Sequence, residues 1–238
     1  MVNHKNTDGQ PIGSPVSDWQ GCEFPPRSAM SGKWCRLEIL VPEKHAEELF
    51  AAYVKQRNDQ DWTYLPYGPF EHFEGYQSWL TKTCTADDPL FHTIIATETN
   101  KAVGVASFLR IQPVVGVLEV GHIHFSPLLQ KTPVATEAMF LMMSRVFDEL
   151  AYRRYEWKCD ALNAPSRKAA ERFGFSFEGL FRQATIYKNR NRDTAWFSII
   201  DKDWPSLKKS FQTWLRADNF DQQGRQKKSL QQIRENLH

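Results

Sequence analysis

A mixed α/β (α+β) fold, one central twisted mixed sheet with helices on both faces, is the class this 238-residue sequence predicts. The first observation is the order of its hydrophobic rhythms: strand-like alternation and helix-like spacing follow one another as β-α-α-β-β-β-α-β-α-β-β. The second is that a meander of strands gives way to crossover helices, which packs helices on both sides of one sheet. The third is size. One domain over residues 31–215 holds all of these segments, with a tail of residues 1–30 before it and a polar segment of residues 216–238 after it.

Residues 1–30 carry Gly, Pro, Ser and Asn without an apolar period and read as an extended tail on the domain or as partial disorder. Residues 33–41 alternate polar and apolar and form the first strand, which Pro42 ends. Over residues 43–57, Ala46, Leu49, Phe50 and Tyr53 mark an amphipathic helix. An aromatic loop with Pro66, Gly68 and Pro69 leads to a second helix over residues 71–83. Residues 91–97, 101–111 and 115–125 are strands, separated by Glu98-Thr-Asn100 and by a turn at Gln112-Pro113. The spacing of Ala138, Met142, Val146 and Leu150 predicts a helix over residues 132–150, with Thr132 as N-cap and Pro133 at the first position. A strand over 154–159, a helix over 165–173, strands over 175–187 and 194–200 and a helix from Trp204-Pro205 complete the domain. After Leu215 the chain is rich in Gln, Lys and Asn and reads as loosely held.

Thirty basic and 28 acidic side chains give a net charge of +2, too mild to demand nucleic acid or an anionic membrane. The longest apolar stretches, such as residues 138–143, are far too short to span a bilayer. No secretory signal is visible, so the cytoplasm is the expected location. The cysteines at 22, 35, 84 and 159 form no C-x-x-C pair and stand near no zinc-spaced histidines. Free thiols and no metal are expected. Thirteen per cent aromatic residues, with eight Trp, suggest a well-filled core and a cleft lined by rings.

Two segments carry the chemistry. Residues 118–139 run strand, polar turn, helix start, and place free backbone N–H groups where a pyrophosphate is welcome. Residues 163–179, Asn163-Ala-Pro-Ser166 through Glu171-Arg-Phe-Gly-Phe175 to Glu178-Gly179, put an amide and a hydroxyl at the mouth of another helix. On the helix-cap reading, Asn163 and Ser166 are an N-cap pair and Gly174 is a left-handed stop. Both roles can hold at once.

Together these segments resemble the GNAT superfamily of N-acetyltransferases, and Asn163-x-x-Ser166, residues 171–175, Glu178-Gly-Leu-Phe-Arg182 and residues 187–193 resemble its Rim-type group. The resemblance covers most of residues 33–215. It implies the GNAT acyl-CoA N-acyltransferase fold, acetyl-CoA as co-substrate without a metal, and transfer to a primary amine. The acceptor is then an amine-bearing small molecule or a peptide or protein N-terminus, and homodimerisation is left open.

In such enzymes a Gln/Arg-x-x-Gly-x-Gly/Ala turn holds the phosphates. Gln130-Lys-Thr-Pro-Val-Ala135 matches its ends but has Pro133 at the central glycine. Proline deletes one N–H, leaving those of Lys131, Thr132, Val134, Ala135 and Thr136. The resemblance further implies that the strand ending at Phe125 splays from its neighbour. The N–H groups of Ile123, His124 and Phe125 then bind pantetheine and polarise the thioester. Asn163 would hold pantetheine, and Ser166 would protonate the leaving thiolate.

The first candidate base is Glu119, with His122 and His124 as alternates, and Tyr187 is a candidate general acid. The position where Rim-type members place an acid holds Thr185, which cannot take a proton. Trp62, Tyr64 and Tyr67 sit where GNAT enzymes cover the acceptor, or plug the sheet edge. Arg182, Lys188, Arg190 and Arg192 read as a solvated basic hairpin, or as a group that meets the 3′-phosphate of coenzyme A or an acidic acceptor. Pro133 and Thr185 also keep open a non-catalytic relative that binds acyl-CoA as a sensor or interaction module.

Overall fold

A computed structural model describes residues 4–55 and 59–237. Among these, a small hairpin pairs β1 (His4–Lys5) with β2 (Pro11–Ile12). The main sheet contains β3 (Met30–Ser31), β4 (Cys35–Ile39), β5 (Leu90–Ala96), β6 (Lys101–Gln112), β7 (Val117–Phe125), β8 (Arg154–Asp160), β9 (Ser176–Tyr187) and β10 (Arg190–Ile200). Its order is β3-β4-β5-β6-β7-β8-β10-β9. Every pairing is antiparallel except β7 with β8. The sheet is therefore mixed, as the order of hydrophobic rhythms predicts.

Burial follows the two-residue period. On β5, Leu90 and Ile94 belong to one core and Phe91 and Ile95 to the other, so this strand is covered on both sides. Helices α1 (Pro42–Val54) and α2 (Phe73–Thr83) cover one face with Leu49, Tyr53, Tyr76 and Leu80. On the other face lie α3 (Pro133–Ser144), α4 (Ala164–Phe173), α5 (Trp204–Trp214) and α6 (Leu230–Glu235), with Met142, Phe173, Phe211 and Leu230 in the core.

Proline and cap residues set the helix starts. Pro42 both ends the first strand and occupies the first turn of α1, where a missing N–H costs nothing. The helix expected over residues 43–57 runs Pro42–Val54, and its expected positions 56 and 57 lie outside the described residues. Thr132 caps α3, accepting the Ala135 N–H at 3.4 Å. That helix does not continue regularly to residue 150: Arg145–Glu149 is a single π turn. There Arg145 donates to Ser28 Oγ and to the Ala29 carbonyl, fastening the N-terminal segment. The carboxylate of Glu137 on α3 accepts N–H bonds from Lys33, Trp34 and Cys35 at 2.5–2.9 Å, clamping helix to β4. A Cβ on Gly32 would stand 2.4 Å from Glu137 Cδ, so glycine is required there.

The two flanks of the domain are folded against it. Trp19 Nε1 donates to the Val114 carbonyl, and Tyr152 Oη to that of Glu23. The segment after Leu215, expected to be loosely held, contains α6, which begins with a reciprocal Ser229–Gln232 capping box and buries Leu230 and Ile233. Two apolar side chains three apart in a polar run are a weak signal by composition, and polar contacts such as Arg234 to the Arg172 carbonyl fasten the same turn.

Candidate active site

The cleft arises from an interrupted pairing. β7 and β8 run in register from Val117↔Arg154 to Val120↔Trp157 and no further, although β7 continues to Phe125 and β8 to Asp160. β7 also bulges against β6 between the pairs formed by Ser107 and Val105, with His122 at φ 49°. Beyond Val120 the β8-facing side of Ile123, His124 and Phe125 has no strand partner. A cleft of about 920 Å³ opens in this split and is lined by these three residues.

On the α3 side the wall is Gln130, Lys131, Thr132, Pro133, Ala135 and Thr136. Val134 does not reach it. Lys131 takes φ 61°, which turns the chain into the helix. Gln130 Nε2 donates to the Phe125 carbonyl (2.9 Å), tying the turn to the end of β7. Two of the expected donors are engaged: Ala135 N–H with the Thr132 hydroxyl, and Thr132 N–H with the Leu129 carbonyl at 3.4 Å.

Across the split, Asn163 Oδ1 accepts Ser166 N–H (3.1 Å), and both residues line the cleft, so the cap and the facing roles coincide. Ser166 Oγ accepts the indole N–H of Trp157 at 3.0 Å. An indole can only donate, so the serine proton is left for another acceptor. Cys159 borders Ser166, but burial raises its pKa, and its thiol stays protonated.

Glu119 is 3% exposed and lies within an alternating chain of charges that begins at Arg110. Arg110 Nη1 donates to it at 2.7 Å, and Lys158 Nζ lies 2.9 Å from it and 2.7 Å from Glu156. Arg154 then links Glu156 (2.7 Å) to Glu178 (2.8 Å). Burial pushes the Glu119 pKa up, against the opposing pull of Lys158 and Arg110. The two histidines of β7 are poorer bases. Burial lowers His122 to about 4 and His124 to about 3. His122 Nδ1 meets the Tyr67 hydroxyl at 3.1 Å, and His124 lies between Tyr53 (4.1 Å) and Trp62 (3.9 Å).

Of Trp62, Tyr64 and Tyr67, Tyr64 lines the cleft, beside Asp61, Leu65 and Pro66 of the same loop; its hydroxyl donates to the Leu162 carbonyl and bridges the two walls. Trp62 and Tyr67 turn inward, into rings of Tyr53, Phe70 and Trp79. Tyr187 does not line the cleft either. It donates to Asp160 Oδ2 (2.8 Å), which does, and its pKa is raised to about 12, by burial first and Asp160 second.

Sequence reasoning missed Arg110, Lys158, Asp160 and Arg172 on this wall. Alternation along residues 154–160 could have placed Lys158 on the face of Glu156. In the basic hairpin, Arg182 and Arg190 are exposed as expected. Lys188 is exposed too and donates to the Trp62 carbonyl, whereas Arg192 lines the cleft. Among the described residues no His/Cys/Asp/Glu group is arranged to hold a metal, and no helix is long and apolar enough to cross a membrane.

A mixed sheet split between its parallel strands, with a helix start at the split, defines an acyltransferase class, and the comparisons with known proteins specify it. The acetyltransferase (GNAT) domain family matches residues 36–176. A GCN5-related N-acetyltransferase from Brucella melitensis is 47% identical with TM-score 0.91, covering 92% of this chain and 100% of that one. A probable acetyltransferase of the GNAT family from Chromobacterium violaceum is 39% identical with TM-score 0.76, covering 82% and 98%. A structure from Vibrio cholerae named for ribosomal-protein-serine acetylation shares the fold at 18% identity and TM-score 0.62, covering 74% and 98%. No curated protein matches the chain. The chain belongs to the GNAT acetyltransferase family.

Proposed function

We propose that the protein transfers the acetyl group of acetyl-CoA to a primary amine, a small molecule or a peptide N-terminus, by direct attack within a ternary complex. The observation that carries this reading is the split beyond Val120, which opens one cleft between the start of α3 and the Asn163–Ser166 cap. The thioester supplies an activated acetyl group. Everything else falls to the chain.

The start of α3, from Lys131 to Thr136, offers a positive helix end and backbone donors to a diphosphate. Pro133 withholds one donor, a loss of about 1.5–3 kcal/mol if the acceptor is charged. Lys131 offsets part of it, while the Thr132 hydroxyl is engaged with the Leu129 carbonyl at 2.7 Å. Ile123 and Phe125 would present their N–H groups to the thioester arm and to a developing oxyanion, while His124 between them turns its backbone to Val105 of β6. Ser166 holds its proton free for the departing sulfur. Glu119 takes the proton of the attacking amine, directly or through water. An α-amine, with pKa about 8, needs less help than a lysine side chain near 10.4. Tyr64 closes the acceptor side.

The test is thiol release from acetyl-CoA across peptides, amino acids, polyamines and amino sugars. Turnover with at least one amine class is expected, and Glu119→Gln should lower kcat by about 10²–10⁴-fold if Glu119 is the base. Ser166→Ala should lower kcat with little change in KM. Thermal stabilisation by acetyl-CoA without turnover on any amine would favour the sensor reading instead, which Pro133 and Thr185 suggest.

A further inference from the structure

One cation on the cleft wall has no counter-charge. Arg192, near the start of β10, is half-buried and lines the cleft. Its Nε is shut off from solvent and meets no hydrogen-bond partner. Among the described residues its guanidinium makes no hydrogen bond or ion pair, and the Tyr187 ring stands 5.8 Å from it. The carboxylates nearby are engaged elsewhere. Asp193, next in sequence, accepts the Gln183 N–H (2.7 Å) and the Asn191 amide (3.0 Å). Asp160 on the adjoining strand accepts the Leu162 N–H and the Tyr187 hydroxyl, each at 2.8 Å. Across β9 the register partner of Arg192 is Thr185, which carries no charge. A guanidinium edge left unmatched has lost the hydrogen bonds it made in water, so it is positioned for an anion that arrives with a ligand.

Its place in the sheet says which ligand. Thr194 pairs with Asp160, and the Ala161 N–H reaches the Asp193 carbonyl (2.8 Å), so Arg192 lies alongside Leu162. The Tyr64 hydroxyl binds the Leu162 carbonyl, and Lys188 of the same hairpin holds the Trp62 carbonyl. The aromatic loop and the hairpin thus close one end of the cleft, with Arg192 on its wall. The strand that carries Ile123 is two positions away in the order β7-β8-β10, about 10 Å at ordinary strand spacing.

We infer that the acceptor carries a carboxylate several bonds from its amine, and that Arg192 receives it through its free Nε–Nη edge. The inference rests on the acetyl-transfer reading and names a substrate class for it. Two parallel N–H donors match the two oxygens of a planar carboxylate. With Asp160 on the next strand, a monoanion suits the place better than a phosphate dianion. The separation from β7 disfavours an α-amino acid, whose amine and carboxylate share one carbon. It suits an ω-amino acid, or a peptide N-terminus followed by an acidic side chain.

The test is steady-state acetylation, by the full chain, of acceptors matched in all but the anion. One set is 6-aminohexanoate against hexylamine; the other is peptide amides with Glu, Gln or phosphoserine as second residue. The carboxylate-bearing member of at least one set should show a KM about tenfold lower at similar kcat. Arg192→Gln should erase that difference while turnover of the uncharged members stays within about twofold, which also shows that the variant folds. Arg192→Lys, which keeps the charge but not the fork, should retain only part of it. Equal KM values within each set, full preference retained in Arg192→Gln, or a larger gain from phosphoserine than from Glu overturns the carboxylate and leaves acetyl transfer standing. Turnover confined to amines without an anion, or to α-amino acids, overturns it as well. Absence of turnover on any amine overturns the transfer reading and the inference with it. Should Arg192→Gln fail to fold, the unmodified protein and Arg192→Lys still decide.

Discussion

Lys158 sits between Glu119 and Glu156 with 9% of its side chain exposed, and over the Trp196 ring at 3.8 Å. Its charge is one of two that oppose the effect of burial on Glu119; Arg110 is the other. Removing it by Lys158→Met leaves desolvation less opposed, so the Glu119 pKa rises further. Glu119 would then stay protonated to higher pH and lose its capacity as a base there. The acid limb of the kcat/KM profile is expected to move toward higher pH in the variant, measured with one active amine. An unmoved limb would remove Glu119 as the titrating base. Sequence reading reached Glu119 through its place two pleats before Ile123, but not its partners, because Arg110 and Lys158 lie on other strands. The same limit hid Arg172, which lines the cleft with Thr136 as its hydrogen-bond partner and no carboxylate paired with it among the described residues.

At the scale of elements, caps and periodicity made most of the fold legible. Thr132 and Pro133, Asn163 and Gly174 fall at the helix boundaries they predict, because these residues satisfy or avoid orphan backbone groups locally. Two features escaped this logic. Trp62 and Tyr67 lie in a loop without period, so nothing local says which way a ring turns; the Tyr53–His124 shelf draws Trp62 inward. The C-terminal segment hides its anchors, Leu230 and Ile233, in a polar run. If those anchors dock it, Leu230→Ala should cost about 2–5 kcal/mol locally, enough to free one helical turn. Hydrogen exchange should then show lost protection over residues 216–237 while the β5–β7 amides stay protected. Unchanged protection in that segment would mean it is held by its polar contacts alone.

Across the whole molecule, α1 and α2 cover one face of the sheet and α3 to α6 the other, and buried histidines lie on β5 and β7. His92 on β5 is held at a pKa of about 4 by burial first, with Arg145 adding to the effect. His122 and His124 on β7 fall to about 4 and about 3 for the same leading reason. In the unfolded chain each returns to roughly 6.5. Depressed folded values mean that the unfolded state binds these protons first as the solution is acidified. Their contribution to stability is complete above pH about 6.5 and is lost as pH falls toward the folded values, at up to about 1.4 kcal/mol per pH unit for each group. Urea unfolding midpoints are therefore expected to hold steady from pH 8 to 7 and to drop steeply between about 6.5 and 4. His92→Gln, outside the cleft, should reduce the slope of that drop by about a quarter to a third, since His45 on α1 is also lowered by burial, even where it lowers stability at pH 7. A midpoint that stays level down to pH 5 would show that these imidazoles charge within the folded sheet, which the packing around Tyr53, Trp62 and Phe108 opposes.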